Sequence, residues 1–260
     1  MTSVQESGRL ALLNVLAFAD GQPRTERPIP PRAGVLAAEV RAWIADPAQG
    51  VAATVDSVEG AQATREALAA LMPSEPVVTA AVSTERACWA EFTARGVGDP
   101  ETGVVGLTFD SEGLVRRLVL LRAALVPPSA LEKSPSAPPG RPILEAYFDD
   151  LMSSRFREAA AHFSADALYS HPPYAGGSER VLFTGREALW RGFEFERGPS
   201  PARQVITGFW QSGERVFIEG VVDGLPGGGT FFSTAQISSQ GEIARYIAFY
   251  SATRIPSLNE

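Results

Sequence analysis

The residues of this chain that could move a proton gather in its C-terminal half. His171 stands in "ALYSHPPYAGG", in front of two prolines and beside Tyr169 and Tyr174. An imidazole with an ordinary pKa of about 6.5 can accept or release a proton near neutral pH. The same ring could instead cap a strand or bond a backbone group, and residue type alone leaves both readings open. Glu219, in "RVFIEGVV", shares a strand face with Phe217 and Val221, and hairpin pairing sets it against Ile206 and near Trp210. If that apolar face is the inner one, the carboxyl is pushed up into a range useful for acid–base work. If it is the outer one, Glu219 meets solvent or Arg215 four residues before it. Tyr169, Tyr246 and Tyr250 carry hydroxyls able to donate to a developing oxyanion, or to be satisfied in plain packing. Trp190 and Trp210 read as core or as the wall of a ligand cavity. His162 reads as an exposed residue of a helix, Asp166 as a helix end and Asp223 as a turn start.

Other chemistries find no support in the sequence. Two histidines and one cysteine, widely spaced, make no metal-ligand pattern, so neither a metal nor another cofactor is expected. "GLPGGGT" lacks the Gly-Lys-Ser/Thr ending of a phosphate loop and reads as a hairpin tip. No Gly-x-Ser-x-Gly elbow is present. Cys88, in "ERACWAEF", reads as a small buried apolar residue, and a lone cysteine forms no internal disulfide. A net charge of −7 lacks the basic excess that phosphate contacts need, which argues against nucleic acid. The apolar start "LALLNVLAFAD" has little positive lead and is interrupted by Asn14, so it reads as a buried first element rather than a leader. No run reaches the ~18 apolar residues of a membrane span, and a cytoplasmic protein without membrane contact is expected.

The elements that must position these side chains follow from punctuation and period. "VPPSALEKSPSAPPGRP" can be neither helix nor inner strand, and it divides the chain into domains over 1–128 and 142–260 with a linker over 129–141. The halves resemble each other. Gly113 and Pro128 match Gly241 and Pro256, both 128 residues on, while Arg65, Glu66 and Leu68 match Arg186, Glu187 and Leu189, 121 on. Ordered similarities of this kind point to an internal duplication. In the second half, Ile143, Leu144, Tyr147, Phe148, Leu151 and Met152 recur as one helical face, with Pro142 at its first position. A shorter helix through "SRFREAAAHFSADA" ends near Asp166. "LYSHPPY" is extended, because a residue preceding proline is pushed out of the helical region, and "GREALWRGF" is a further helix. Two hairpins close the chain. A turn at Ser212-Gly213 pairs Phe209 with Val216 and Ile206 with Glu219. A turn at Gln240-Gly241 pairs Ala235 with Tyr246 and Phe231 with Tyr250. The result is an α+β layer design, helices on one face of an antiparallel sheet.

This order, with "FDDLMSSRFREAAAHFSADALYSHP" at its start and "GEIARYIAFYSA" at its end, resembles the nuclear transport factor 2-like superfamily, and most closely its SnoaL-like polyketide cyclase and ketosteroid isomerase branches. The similarity covers about 142–257. The first half fits only from about Val51 to Pro128 and reads as a degenerate copy, its "VAATVDSVEG" being too short to match "SHPPYAGGSERVLFTG". The resemblance implies two tandem cone-shaped domains, each wrapping a sheet around a pocket, paired as a pseudo-dimer within one chain; further association of chains stays open. It also implies a small hydrophobic molecule as partner, with the site in the second copy: His171 as base or acid, Glu219 as its partner, Tyr169 as hydrogen-bond donor, and Trp190, Trp210, Tyr246 and Tyr250 around the ligand. The alternative is a non-catalytic carrier or scaffold of the same fold.

Overall fold

The computed structural model describes residues 36–44, 57–71, 77–84, 86–95, 100–123, 137–174, 180–224 and 228–257. The chain forms two compact units that divide at Pro128/Ser129, with the short stretch Pro47–Thr54 assigned to the second. The "LALLNVLAFAD" stretch and most of the Pro/Ser-rich linker lie outside the described residues. No helix among the described residues is long and apolar enough to cross a membrane.

The second unit begins with helix α2 (Gly140–Met152), following α1 (Ala61–Leu71) of the first unit. It starts two residues before Pro142, and its first N–H, from Gly140, is accepted by the Gln211 side chain at 2.8 Å. Its apolar stripe buries Leu144, Tyr147, Phe148 and Leu151, each a contribution of about 1.5–3 kcal/mol. Helix α3 (Phe156–Ala161) is much shorter than its sequence suggests. The chain already runs as strand from Phe163, so Asp166 lies within strand β7 (Phe163–His171) rather than ending a helix. His162 caps α3 and is only a quarter exposed; its Nε2 meets Asp150 Oδ2 at 2.8 Å, and Arg155 holds the other oxygen. Strand β8 (Val181–Thr184) and helix α4 (Arg186–Arg191) follow. A π-helical turn, Gly192–Arg197, continues α4, and β9 (Arg203–Ser212), β10 (Arg215–Asp223), β11 (Gly229–Ile237) and β12 (Ile243–Ser251) complete the unit.

The six strands order as β8-β7-β12-β11-β10-β9, antiparallel except for β7 beside β12. The last hairpin has the register its turn implies, Ala235 opposite Tyr246 and Phe231 opposite Tyr250. The preceding one does not. Its tight turn is Gly213-Glu214, so Phe209 faces Ile218, and a bulge at Thr207 sets Ile206 opposite Gly220 while Glu219 faces Gly208. A one-residue slip exchanges the two faces of a sheet. The bulge thus brings Ile206 to the core face with Phe209, while along β10 simple alternation sends Val216, Ile218 and Val222 to the helices in the core and Glu219 to the other face.

The first unit orders its strands β2-β1-β6-β5-β4-β3, the same topology: β1 (Leu36–Ile44), β2 (Ser57–Glu59), β3 (Val77–Ser83), β4 (Ala87–Arg95), β5 (Pro100–Phe109) and β6 (Val115–Ala123). The repeat is register-true. Glu91 sits opposite Val104 and Ala80, and Glu219, 128 residues on, sits opposite Phe232 and Gly208, each also 128 on. The bulge at Thr207 recurs at Thr79, and each threonine hydroxyl donates to the carbonyl of the facing glutamate, at 3.3 Å and 3.2 Å. Leu36 faces Val115 as Phe163 faces Ile243, so the first copy reaches back at least to Leu36 rather than starting near Val51. Its β1–β2 pair is the counterpart of β7–β8: Arg41 faces Glu59 as Leu168 faces Thr184. The helices correspond through Gly60 and Gly185, whose N–H groups donate to Val40 and Ala167. That is an offset of 125, not 121. The difference is about one helical turn, which keeps the buried face in phase and explains why a slipped match looked good.

Candidate active site

A cavity of about 440 Å³ opens in the second unit. β7 supplies Tyr169 and His171, which share a face because strand side chains alternate. Phe231, Ala248 and Tyr250 come from β11 and β12, Leu151 from α2 and Val222 from β10. Phe231 fits because it lies over Gly220, where a Cβ would come within 2.3 Å of its ring. Tyr174, Arg197 and the strap Pro199–Ala202 complete the lining. The π-helical turn sets this strap. The Gly198 N–H closes the wide turn onto the Phe193 carbonyl at 3.0 Å, and Gly198 itself takes φ 61°, ψ −176°, a conformation that is in practice glycine's alone.

The His171 ring is parallel to Tyr169, within 1°, with centroids 6.1 Å apart, and Tyr174 packs against it at 5.1 Å. Its Nδ1 lies 2.7 Å from the Pro172 carbonyl oxygen. A carbonyl can only accept, so Nδ1 carries the hydrogen and Nε2 keeps the lone pair. Burial pushes the imidazole pKa down to about 4; the Pro172 bond opposes this, and the cations of Arg180 and Arg197 add to it. At neutral pH the ring is uncharged, a base and acceptor rather than an acid.

Tyr169 is buried, which raises its pKa, while hydrogen bonds from Tyr174 and Tyr147 and the two arginines work in the opposite direction. The Tyr174 hydroxyl donates to the Tyr169 hydroxyl at 3.5 Å. A hydroxyl that accepts from a neighbour has its own proton polarised for donation. Tyr246 stacks on Tyr169 at 5.5 Å and bonds Ser233 at 2.7 Å, beneath the cavity rather than on its surface. Tyr250 lines the cavity, and its hydroxyl donates to the Gly228 carbonyl. Trp190 packs partly against the core and carries the Arg157 guanidinium 4.3 Å over its ring, outside the cavity. Trp210, opposite Phe217 on β10, shares the face of Glu219, away from the cavity.

Glu219 is thus not brought to His171: it lies on the sheet face away from the cavity, but it is buried there, at 1% exposure, rather than meeting solvent. No acidic residue is found among the described residues lining the cavity. Sequence reasoning missed Arg197, Tyr174, Phe231, Gln204 and the proline strap. The compact "RGPSPA" before β9 was the available signal, a cation fixed next to residues of restricted backbone. Arg180 was missed as well. It sits behind the wall, donating to Ser170 Oγ at 2.7 Å and to the Ala248 carbonyl, and burial lowers its pKa to about 9. Among the described residues, no group of three or more histidines, cysteines and carboxylates could hold a metal ion.

No protein-family model matches the chain, and no curated protein matches it. Solved structures do. An NTF-2 like protein of unknown function from Burkholderia xenovorans is 18% identical over 45% of this chain and 86% of its own, with a TM-score of 0.34. An M. tuberculosis LEH-like epoxide hydrolase is 16% identical over 43% of this chain and 81% of its own, TM-score 0.34. The epoxide hydrolase/cyclase-like enzyme SalBIII, of pyran ring formation in the polyether salinomycin, is 13% identical over 43% and 89%, TM-score 0.35. By its own strand order and repeat register, the chain is a tandem two-domain α+β protein, each unit built on one six-stranded mixed sheet.

Proposed function

We propose that the second unit takes up a small hydrophobic molecule and rearranges it by proton transfer between its own side chains, as in isomerisation, cyclisation, dehydration or epoxide opening. One observation carries this reading: a neutral imidazole and a polarised tyrosine hydroxyl stand side by side in a cavity that is otherwise mostly apolar. His171 Nε2 takes a proton from the substrate or from a water. Tyr169, with Tyr174 behind it, donates a hydrogen bond to the oxygen on which charge develops. Glu219 takes no direct part, since it is not among the residues lining the cavity. Trp190, Trp210 and Tyr246 support the walls rather than touch the ligand.

The test is a crystal soaked with a mixture of hydrophobic ketones, epoxides and lactones, followed by turnover of the captured compound by His171→Ala protein. Loss of turnover with retained binding supports the assignment; unchanged turnover removes His171 as the base. A carrier without catalysis is the second reading. It is favoured by the lack of any carboxylate near His171 among the described lining residues, and predicts that the captured compound is recovered unchanged.

A further inference from the structure

The charge balance around this cavity says something about its ligand that its shape does not. Arg197 lines the cavity, half-buried, with one of its five donors on the Gly198 carbonyl at 3.0 Å. It forms no ion pair among the described residues, although the same turn carries Glu194 and Glu196, and the short helix before it pairs Arg191 with Glu187. Among the described residues, Arg180 behind the wall is bonded to a hydroxyl and a carbonyl, and packs over the Phe249 ring. The other polar groups at the cavity surface are hydroxyls, the Gln204 side chain and the His171 ring, none of them negative at neutral pH. Two guanidinium groups therefore bear on one small, mostly apolar space that no described carboxylate lines, although the charge of Glu196 reaches Tyr174 at its edge. A partly desolvated cation left this way is costly unless something pairs with it.

Resting on the reading of this cavity as a ligand site, we infer that its ligand is an amphipathic acid: an apolar body held between Leu151, Val222 and Phe231, ending in a carboxylate that pairs with Arg197. A guanidinium fork matches a planar carboxylate through two parallel N–H···O bonds, and the donors not spent on Gly198 remain for it. A single charge fits better than a phosphate dianion, because Arg197 is the one cation on the cavity surface among the described residues and the imidazole beside it is neutral. The π-helical turn and the glycine behind it then have a role: the turn ends in Arg197, and the Gly198 carbonyl holds one end of its guanidinium at the cavity. The carboxylate end is held at Arg197, which leaves the apolar body over Tyr169 and His171.

The experiment measures binding of the straight-chain acids from hexanoate to dodecanoate, and of their primary amides, to the full chain by calorimetry. The amide keeps shape and hydrogen bonding but loses the charge. The expected result is an acid preference of about tenfold to a hundredfold, the range of one charged hydrogen-bonded pair. Arg197→Gln should abolish that preference while leaving amide binding intact, which also shows that the variant is folded, and Arg197→Lys should keep part of it. Equal binding of acid and amide by the unaltered protein overturns this inference and leaves the ligand-site reading standing. An acid preference that survives in Arg197→Gln overturns the role of Arg197. Binding of neither series overturns the ligand-site reading, and this inference with it.

Discussion

The two repeats fold alike and fill their cores differently. Strand for strand and bulge for bulge they share one register, yet positions that line or underlie the cavity in the second copy carry no polar side-chain atoms in the first. Tyr169, His171, Ser233 and Tyr246 correspond to Ala42, Ile44, Val105 and Leu118, all four inside the apolar core of the first unit. One cross-strand pair is even inverted. Phe92 packs over Gly103 in the first copy, whereas Gly220 lies under Phe231 in the second. The ring thus moves to the neighbouring strand while the ladder stays. Backbone hydrogen bonds and alternation determine the sheet; what the inner face holds can change from aliphatic packing to a chain of hydroxyls without disturbing it.

The comparison is broken most sharply by writing the first copy into the second. His171→Ile, with or without Tyr169→Ala, is expected to lower kcat about 10²–10⁴-fold on any substrate found, with a much smaller change in KM, read by steady-state kinetics. The mirror change in the first copy should touch stability alone. Leu118→Ala, at the position equivalent to Tyr246 and fully buried, is expected to cost about 2–5 kcal/mol in urea unfolding and to leave ligand affinity unchanged.

The inverted glycine–aromatic pair sharpens the contrast. Gly220→Ala and Gly103→Ala each force a methyl group to within 2.3 Å of a ring, and each should cost about 1–3 kcal/mol by overpacking. Only Gly220→Ala should also weaken ligand binding, because the displaced ring is the cavity-lining Phe231. Calorimetry on the two variants separates a wall from a filler.

A smaller effect is the response to acid. The folded pKa of His171, about 4, lies below its unfolded value of about 6.5, so on acidification the unfolded chain takes up this proton first. That contribution is present in full above pH 6.5, declines as the pH falls through the window down to about 4, and is lost below it. His171→Asn should flatten this part of the stability profile measured by urea titration, and no such slope arises from Ile44 in the first copy. Smallest of all is the exposed Arg41–Glu59 pair, for which Glu59→Gln should change stability by less than about 1 kcal/mol.

Much of this was legible in the residues. The α2 stripe, the final hairpin with its register, and the presence of a repeat all follow from period and turn chemistry, and Tyr169 and His171 from a two-residue spacing before prolines. Glu219 was not legible, and the reason is local. A bulge at Thr207 slips one strand by a residue, and nothing in "RQVITGFWQSGERVFIEG" marks which residue is the extra one, so Ile206 and Glu219 were set on one face when they lie on opposite faces. The shortness of α3 was hidden for another reason: "AHFSADALYS" has enough helix formers to extend the pattern, and pairing of Phe163 with Ile243 overrides that propensity.

The sequence by itself determined the hairpins of the second sheet, because alternation and turn signals are local, whereas the parallel pairing of β7 with β12 joins strands far apart in the chain and was left to the fold. It also determined the doubled plan and the base candidate in the second copy. Only the tertiary structure decided which side chains meet the cavity and that a neutral imidazole stands there among cations. Those depend on a bulge, on a π-helical turn and on what burial does to charge, and no short stretch of sequence contains them.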